Sequence, residues 1–316
     1  CELGFEVEAA TQGLARAAAP ALAGVASERV FAELRRVVCA PAVLTGLELM
    51  DAIGVTDAVL PELAALRGVQ QSRFHHLDVS EHTRSVLAEV LALEREPERL
   101  AGDVAPALTR FLAEPLANDL TRGQALRFGA LLHDIAKPRT RAVTPQGRVT
   151  FMDHDESGAR LATEILGRLR ASERLRAHIA ALTRHHLRLG FLVHEMPLSR
   201  RAVYDYLHAT APVAVDVTVL SVADRLATRG DNAERAIATH LKLARQMLAE
   251  GLAWVADPPR PPVRGDELAR ALGIEPGPVV GDLLAELEAA SFSGEVATRE
   301  EAIARARELI ASGPSD

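Results

Sequence analysis

Apolar residues recur every three or four positions along almost the whole chain, a spacing that suits α-helices and little else. Val79, Thr83, Val86, Leu87, Val90 and Leu91 make one such stripe. Leu126, Phe128, Leu131, Leu132 and Ile135 make a second, Leu161, Ile165, Leu166 and Leu169 a third, and Leu175, Ile179 and Leu182 a fourth. Alternating β-branched runs are few. The chain is 48% apolar but only 3% aromatic, so its core has to come from Leu, Val, Ile and Ala, and the abundance of Ala and Leu again favours helices. The expected fold class is all-α.

Punctuation divides this helical pattern. Residues 1–26 open with Gly4-Phe5-Glu6-Val7 and a helix capped by Thr11. Ser27 is expected to cap the next helix, with Val30, Phe31, Leu34, Val37 and Val38 on one face, and 27–68 read as a small helical neck. A polar stretch at 69–78 leads into a helix capped near Asp78 or Ser80, and 69–256 read as the main helical domain. Inside it, Pro145-Gln146-Gly147 forms a turn between two short extended pieces that would pair. Pro258-Pro259-Arg260-Pro261-Pro262 is a stiff linker, and 257–316 form a small helical tail whose last helix is capped by Thr298.

Composition excludes some functions. No apolar run approaches 18 residues, so no membrane-spanning helix and no membrane partner are expected. No basic-then-apolar leader is visible, and two cysteines, Cys1 and Cys39, make no disulfide framework; the expected location is the cytoplasm. A net charge of −7 argues against broad nonspecific nucleic-acid binding but leaves room for a local basic face. There is no Gly-Lys-Ser/Thr phosphate loop, no Gly-x-Gly-x-x-Gly and no Cys-x-x-Cys.

The chemistry gathers around Leu131-Leu132-His133-Asp134-Ile135-Ala136-Lys137-Pro138. An adjacent His-Asp pair on an apolar helix supplies part of a divalent-metal site, provided other helices bring the remaining ligands. His82 lies in the stripe that begins at Val79, His154 precedes Leu161 on the same side, and His186 shares a face with Leu175, Ile179 and Leu182. Asp224 shares one with Val217 and Leu220, where a carboxylate is costly unless paired or metal-bound. One inward histidine is commonly structural; this many, each on its own helix, fit a metal centre better. His82, His133, Asp134 and Asp224 would hold one ion, while His154 and His186 would take a second ion or substrate phosphate. The donors suit Mg, Mn, Fe, Co, Ni or Zn, any of which could activate water near neutral pH. Asp134 would act in catalysis, with Lys137 and Arg73 neutralising phosphate oxygens. His185 rivals His186 for the inward position. His75, His76, His178, His194, His208 and His240 are expected at the surface or around the site, and Asp78 and Asp153 in caps or loops.

The set His82…His133-Asp134…Asp224 resembles the HD superfamily of metal-dependent phosphohydrolases, with Ala136 where the family's His-Asp-x-Gly-Lys form has glycine. The flanks narrow the resemblance. Ser27-Glu28-Arg29-Val30-Phe31-Ala32-Glu33-Leu34 is similar to the neck of bacterial class II tRNA nucleotidyltransferases and poly(A) polymerases. So are Leu60-Pro61-Glu62-Leu63, the run from Gln71 to Thr83, His186-Leu187-Arg188-Leu189-Gly190-Phe191-Leu192, Ala223-Asp224-Arg225-Leu226-Ala227, and Gly265-Asp266-Glu267-Leu268, Gly277-Pro278-Val279-Val280-Gly281 and Thr298-Arg299-Glu300-Glu301-Ala302 in the tail. The resemblance implies phosphodiesterase or phosphatase activity on small phosphate esters, cyclic nucleotides or RNA 3′ ends, with tRNA or other RNA held by neck and tail. The family's nucleotide-adding head, with its Gly-Ser turn and paired aspartates, is not in the sequence; 1–26 would be its remnant, and nucleotide addition would belong to a longer parent. The alternative is a noncatalytic RNA-binding body with a vestigial or regulatory metal site.

Overall fold

The computed structural model describes residues 4–71, 77–229 and 233–312; Arg73, His75 and His76 lie outside them. The neck is a run of helices: α1 (Ala9–Ala18), α2 (Ser27–Cys39), α3 (Val43–Ala52), α4 (Val55–Val59) and α5 (Pro61–Ala64). Helix α2 buries Phe31, Leu34 and Val38, part of the face expected of it. Its N-cap is Ala26 rather than Ser27, and no side chain caps it.

The main domain begins with α6 (Val79–Arg95). Asp78 accepts from the Glu81 amide while the Glu81 side chain accepts from the Asp78 amide, a reciprocal capping box. Short helices α7 (Glu98–Ala101) and α8 (Ala105–Leu112) and the hairpin β1 (Pro115–Ala117)–β2 (Leu120–Thr121) lead into α9 (Arg122–Leu132). Asn118 and Asp119 both have positive φ, as a two-residue hairpin turn requires. Thr121 and Gln124 form a second capping box at the start of α9. There follow α10 (Lys137–Thr140), the antiparallel hairpin β3 (Arg141–Val143)–β4 (Val149–Phe151), α11 (His154–Arg168), α12 (Glu173–His185) and α13 (Arg188–Leu192). The remaining helices are α14 (Arg200–Thr210), α15 (Ala214–Ala227), α16 (Ala233–Ala256), α17 (Gly265–Leu272), α18 (Pro278–Ser293) and α19 (Arg299–Ser312). Apart from the two short hairpins, the described fold is all-α, as the sequence periodicity implies.

Two units are present, Cys1–Val193 with Pro212–Leu248, and His194–Ala211 with Ala249–Asp316. The second therefore takes in 194–211 and 249–256 as well as the tail that the sequence delimits at 257. In the first unit, α6 packs on α9 and α15, α9 on α12, and α12 along α11. Leu87, Leu126, Ile165, Leu175, Ile179 and Leu182 are fully buried there, and each contributes roughly 1.5–3 kcal/mol of hydrophobic stabilisation. Two glycines set the close approaches to α12: a Cβ on Gly129 would lie 2.7 Å from Leu182, and one on Gly158 2.8 Å from Thr183. Arg127 ties α9 to the neck, forking onto Glu94 and donating to the carbonyls of Val38, Cys39 and Ala40 at the end of α2.

The second unit has its own core of Val263, Leu268, Val280, Leu283, Leu287, Val296 and Ile303. Beside it Tyr204, Trp254 and Phe292 pack with centroids 5.4–5.7 Å apart, and the Tyr204 hydroxyl donates to Glu288. Arg201 forks onto Glu286 across α14 and α18.

Candidate metal centre

The centre is built where α9 stops. Continuous helix to Ala136 is expected from the sequence, but α9 ends at Leu132 and residues 133–136 form a turn. Pro138 accordingly stands in the first turn of α10, where its missing amide is harmless, rather than at the end of a helix. On an unbroken helix the neighbouring His and Asp side chains would diverge by about 100°. The turn instead brings them together, with His133 Nε2 3.1 Å from Asp134 Oδ2.

The other side chains arrive on separate elements. His82 comes from the first turns of α6, His154 opens α11, His186 follows the last residue of α12, and Asp224 sits on α15. Asp134 is their common neighbour. Its Oδ2 lies 3.7 Å from His82 Nε2 and 2.6 Å from Lys137 Nζ; its Oδ1 lies 3.3 Å from His154 Nε2 and 3.8 Å from His186 Nε2. Asp224 Oδ1 is 3.0 Å from His82 Nε2. His82, His133, Asp134, Lys137, His154 and His186 are buried, whereas the Asp224 side chain stays 22% exposed and marks the open side.

One local device aims three of the rings. Nδ1 of His133 bonds the Ala130 carbonyl at 2.8 Å, that of His154 the Phe151 carbonyl at 2.7 Å, and that of His186 the Thr183 carbonyl at 2.6 Å. A carbonyl only accepts, so each Nδ1 carries a proton, and in the neutral ring Nε2 turns its lone pair inward. Two of these carbonyls belong to the last turns of α9 and α12, which have no helical donor of their own. Asp153, before His154, adopts a left-handed conformation at φ 55°, a strained geometry for a non-glycine residue that turns β4 sharply into α11.

Electrostatics follow from this packing. Burial alone would raise the Asp134 carboxyl, but the charges of His133 and Lys137 beside it hold it well below its ordinary value. Burial also opposes charge on Asp224, yet His82, through hydrogen bond and charge, keeps that carboxyl low. His186 is pushed down to about 4 by burial and then by His133, so it is neutral at physiological pH. Burial opposes protonation of His133 too, but Asp134 outweighs it and raises the ring.

A divalent ion fits this donor set. His133 Nε2 and Asp134 Oδ1 are buried without a well-formed hydrogen bond among the described residues, so lone pairs remain for an ion beside the Lys137 ammonium, which meets Asp134 Oδ2. Two groups have donor atoms within 4.8 Å of one another: His82, His133 and Asp134, and Asp134, His154 and His186. They share Asp134, one through each oxygen. Imidazole and carboxylate donors suit a first-row divalent metal.

The structure thus gathers His82, His133, Asp134, Lys137, His154, His186 and Asp224, all expected from sequence. Arg73 lies outside the described residues. His186, not His185, faces inward; His185 is half-buried beside Arg188. His178 and His240, which sequence places at the surface or around the site, are both buried: His178 lies 3.7 Å from Asp216, and His240 Nε2 3.3 Å from the Ser221 hydroxyl. Sequence reading missed Gln71, whose Oε1 accepts from Lys137 Nζ at 2.7 Å, and Phe151, whose ring lies 5.3 Å from the same ammonium. It also missed Asp216, fully buried and bonded to Arg122 at 2.7 Å; its place in the apolar run Ala214-Val215-Asp216-Val217 was the available signal.

Comparison with known proteins agrees with this geometry. Residues 79–229 match the HD domain family, and residues 4–66 match the family described as the probable RNA and SrmB-binding site of polymerase A. Residues 79–229 are thus an HD-type domain, preceded by a segment similar to a polymerase-A-type RNA-binding site. More particularly, the chain is similar over most of its length to part of tRNA nucleotidyltransferases. It is 34% identical over 298 residues to a CC-adding tRNA nucleotidyltransferase of Thermus thermophilus, covering 92% of this chain and 60% of the relative. It is 32% identical over 306 residues to an A-adding tRNA nucleotidyltransferase of Deinococcus radiodurans, covering 95% and 63%. A multifunctional CCA protein of Halorhodospira halophila is 28% identical over 188 residues, 58% of this chain and 38% of the relative. The chain thus spans about three fifths of the length of the first two relatives.

Proposed function

We propose that the centre is a divalent-metal phosphohydrolase site in an RNA-processing protein, acting on a phosphoester at an RNA 3′ end, with tRNA as the RNA partner. The observation that carries this reading is the convergence of four imidazoles, those of His82, His133, His154 and His186, on Asp134, with three of them pinned by backbone carbonyls. The RNA partner is supported by the polymerase-A-type segment at 4–66 and by what the relatives' names say they act on.

In this reading His82, His133, Asp134 and Asp224 hold one ion. Asp134, through its other oxygen, forms with His154 and His186 a second position, for another ion or for substrate phosphate. Bound there, a divalent ion lowers the pKa of water and polarises the phosphoryl group. The protein's own part is positioning. The carbonyl-bonded Nδ1 atoms keep the imidazole lone pairs aimed inward without rearrangement. Gln71 and Phe151 hold the Lys137 ammonium at the rim of Asp134, where it meets a phosphate oxygen. Arg73 supplies a second phosphate contact.

Hydrolysis of a 2′,3′-cyclic nucleotide and of a 3′-phosphorylated oligonucleotide, assayed with Mg, Mn, Co, Ni and Zn in turn, tests the reading. At least one metal should support turnover that Asp134→Ala abolishes and Lys137→Met reduces mainly through KM. RNA binding without turnover under every metal would favour a noncatalytic body instead.

A further inference from the structure

The stretch from Lys137 to Met152 carries four cations, Lys137, Arg139, Arg141 and Arg148, and no acidic residue, in a chain whose net charge is −7. Arg139, Arg141 and Arg148 are exposed, and neither Arg141 nor Arg148 forms an ion pair among the described residues. The stretch folds as α10 and the β3–β4 hairpin, between the His133-Asp134 turn and His154.

Its register points the hairpin at the centre. Arg141 pairs across the ladder with Phe151, and Val143 with Val149, so these four share one face. Phe151 on that face contacts Lys137 and stands edge-on to His154 at 6.5 Å. Adjacent glutamines anchor two of these cations: the Gln71 side chain holds Lys137, and the Gln70 carbonyl accepts from Arg141 Nε at 3.3 Å. Arg148 closes the tip, its carbonyl accepting from the Thr144 amide. Val143 and Met152 are exposed beside these arginines, 55% and 73%. Cations and apolar surface therefore extend outward from the centre along the hairpin, Arg141 and Val143 on the face of Phe151 and Arg148 at the tip on the other face.

A lone phosphate group would need only Lys137 and the ions. Cations further out are useful to a ligand with further phosphates, and apolar surface between them to a ligand with bases. We infer that the β3–β4 hairpin is a track for a single-stranded polynucleotide, gripping through Arg141 and Arg148 the phosphates that precede the terminal one at the centre. This rests on the phosphohydrolase reading above and adds to it the element that would hold the nucleotides preceding the RNA 3′ end.

The test is binding of a 5′-fluorescein pentanucleotide ending in a 3′-phosphate to the full chain, by anisotropy from 0.05 to 0.5 M salt. Single strands lose affinity with a log–log salt slope of about −0.7 per phosphate contact. The double variant Arg141→Gln, Arg148→Gln should therefore shallow the slope by about 1.4 and weaken binding about 25-fold at 0.1 M salt relative to a 1 M reference. Its kcat/KM for a pentanucleotide ending in a 2′,3′-cyclic phosphate should fall at least about tenfold relative to that for a cyclic mononucleotide. A slope and affinity equal to those of the unaltered protein would overturn the proposal. If the unaltered protein hydrolyses neither substrate, the phosphohydrolase reading fails, and the binding measurement alone decides the hairpin's role.

Discussion

Arg127 is the residue whose loss should most disturb the join between the neck and the metal-binding helices. Its guanidinium forks onto Glu94 at 2.6–3.2 Å and reaches the carbonyls of Val38, Cys39 and Ala40 at 3.1–3.4 Å, closing the end of α2. Both charges are mostly buried, with 14% and 19% of their side chains exposed. Arg127→Ala leaves the Glu94 carboxylate and three terminal carbonyls without their donor. Removing one partner of a fully buried pair costs about 3–5 kcal/mol, and residual exposure places this case near the lower end, about 3 kcal/mol. For a domain of this size that is a fall in Tm of about 6–10 °C. Arg127→Lys keeps the charge but cannot fork and reach all three carbonyls, so roughly half the loss should remain. Urea unfolding followed by circular dichroism, with a double-mutant cycle against Glu94→Ala, measures both. A loss below about 1 kcal/mol for Arg127→Ala, or a coupling to Glu94 near zero, would refute the reasoning.

Asp216 is pushed up to about 7 by burial, although Arg122 opposes this. A carboxyl whose folded value exceeds its unfolded 3.8 keeps a proton that the unfolded chain releases between pH 4 and 7, so its contribution to stability is lost as pH rises through that window, on the order of 4 kcal/mol. His178, pushed down to about 4 by burial, then Arg122 and Arg174, works oppositely, adding stability as pH rises from about 4 to 6.5. Asp216→Asn removes only the first effect, so chemical unfolding should show the variant gaining on the unaltered protein between pH 4.5 and 7.5; a pH-independent difference would count against it. Gly158→Val places a branched side chain where even a Cβ meets Thr183 at 2.8 Å, and Thr183 also holds His186 through its carbonyl. Overpacking should cost about 1–3 kcal/mol and weaken metal binding, both readable by thermal unfolding with and without added metal; unchanged unfolding and affinity would show that α11 yields freely.

Periodicity made the helices and their inward faces legible, because a buried stripe constrains residue type at every turn. It also exposed Asp224 and His186, polar groups on apolar faces that packing alone does not favour. Boundaries set by side-chain hydrogen bonding were less visible. The end of α9 at Leu132 depends on His133 bonding the Ala130 carbonyl, and no local propensity announces it. Ser27 has the chemistry of a cap but lies one residue inside α2. Gln71 and Phe151 escaped notice because their roles arise only when the 69–78 stretch and the hairpin meet Lys137 in space. Asp216 and His178 come from different helices, so their proximity is a product of tertiary packing.

The central proposition is that Asp134 organises a metal centre, and metal content tests it most directly. The purified chain, equilibrated with a chosen divalent metal and then dialysed, should retain one or two ions per molecule by mass spectrometry. Asp134→Ala, with helical circular dichroism preserved, should lose them, because both donor groups share that carboxylate. An Asp134→Ala protein that folds and keeps the full metal complement would contradict the assignment.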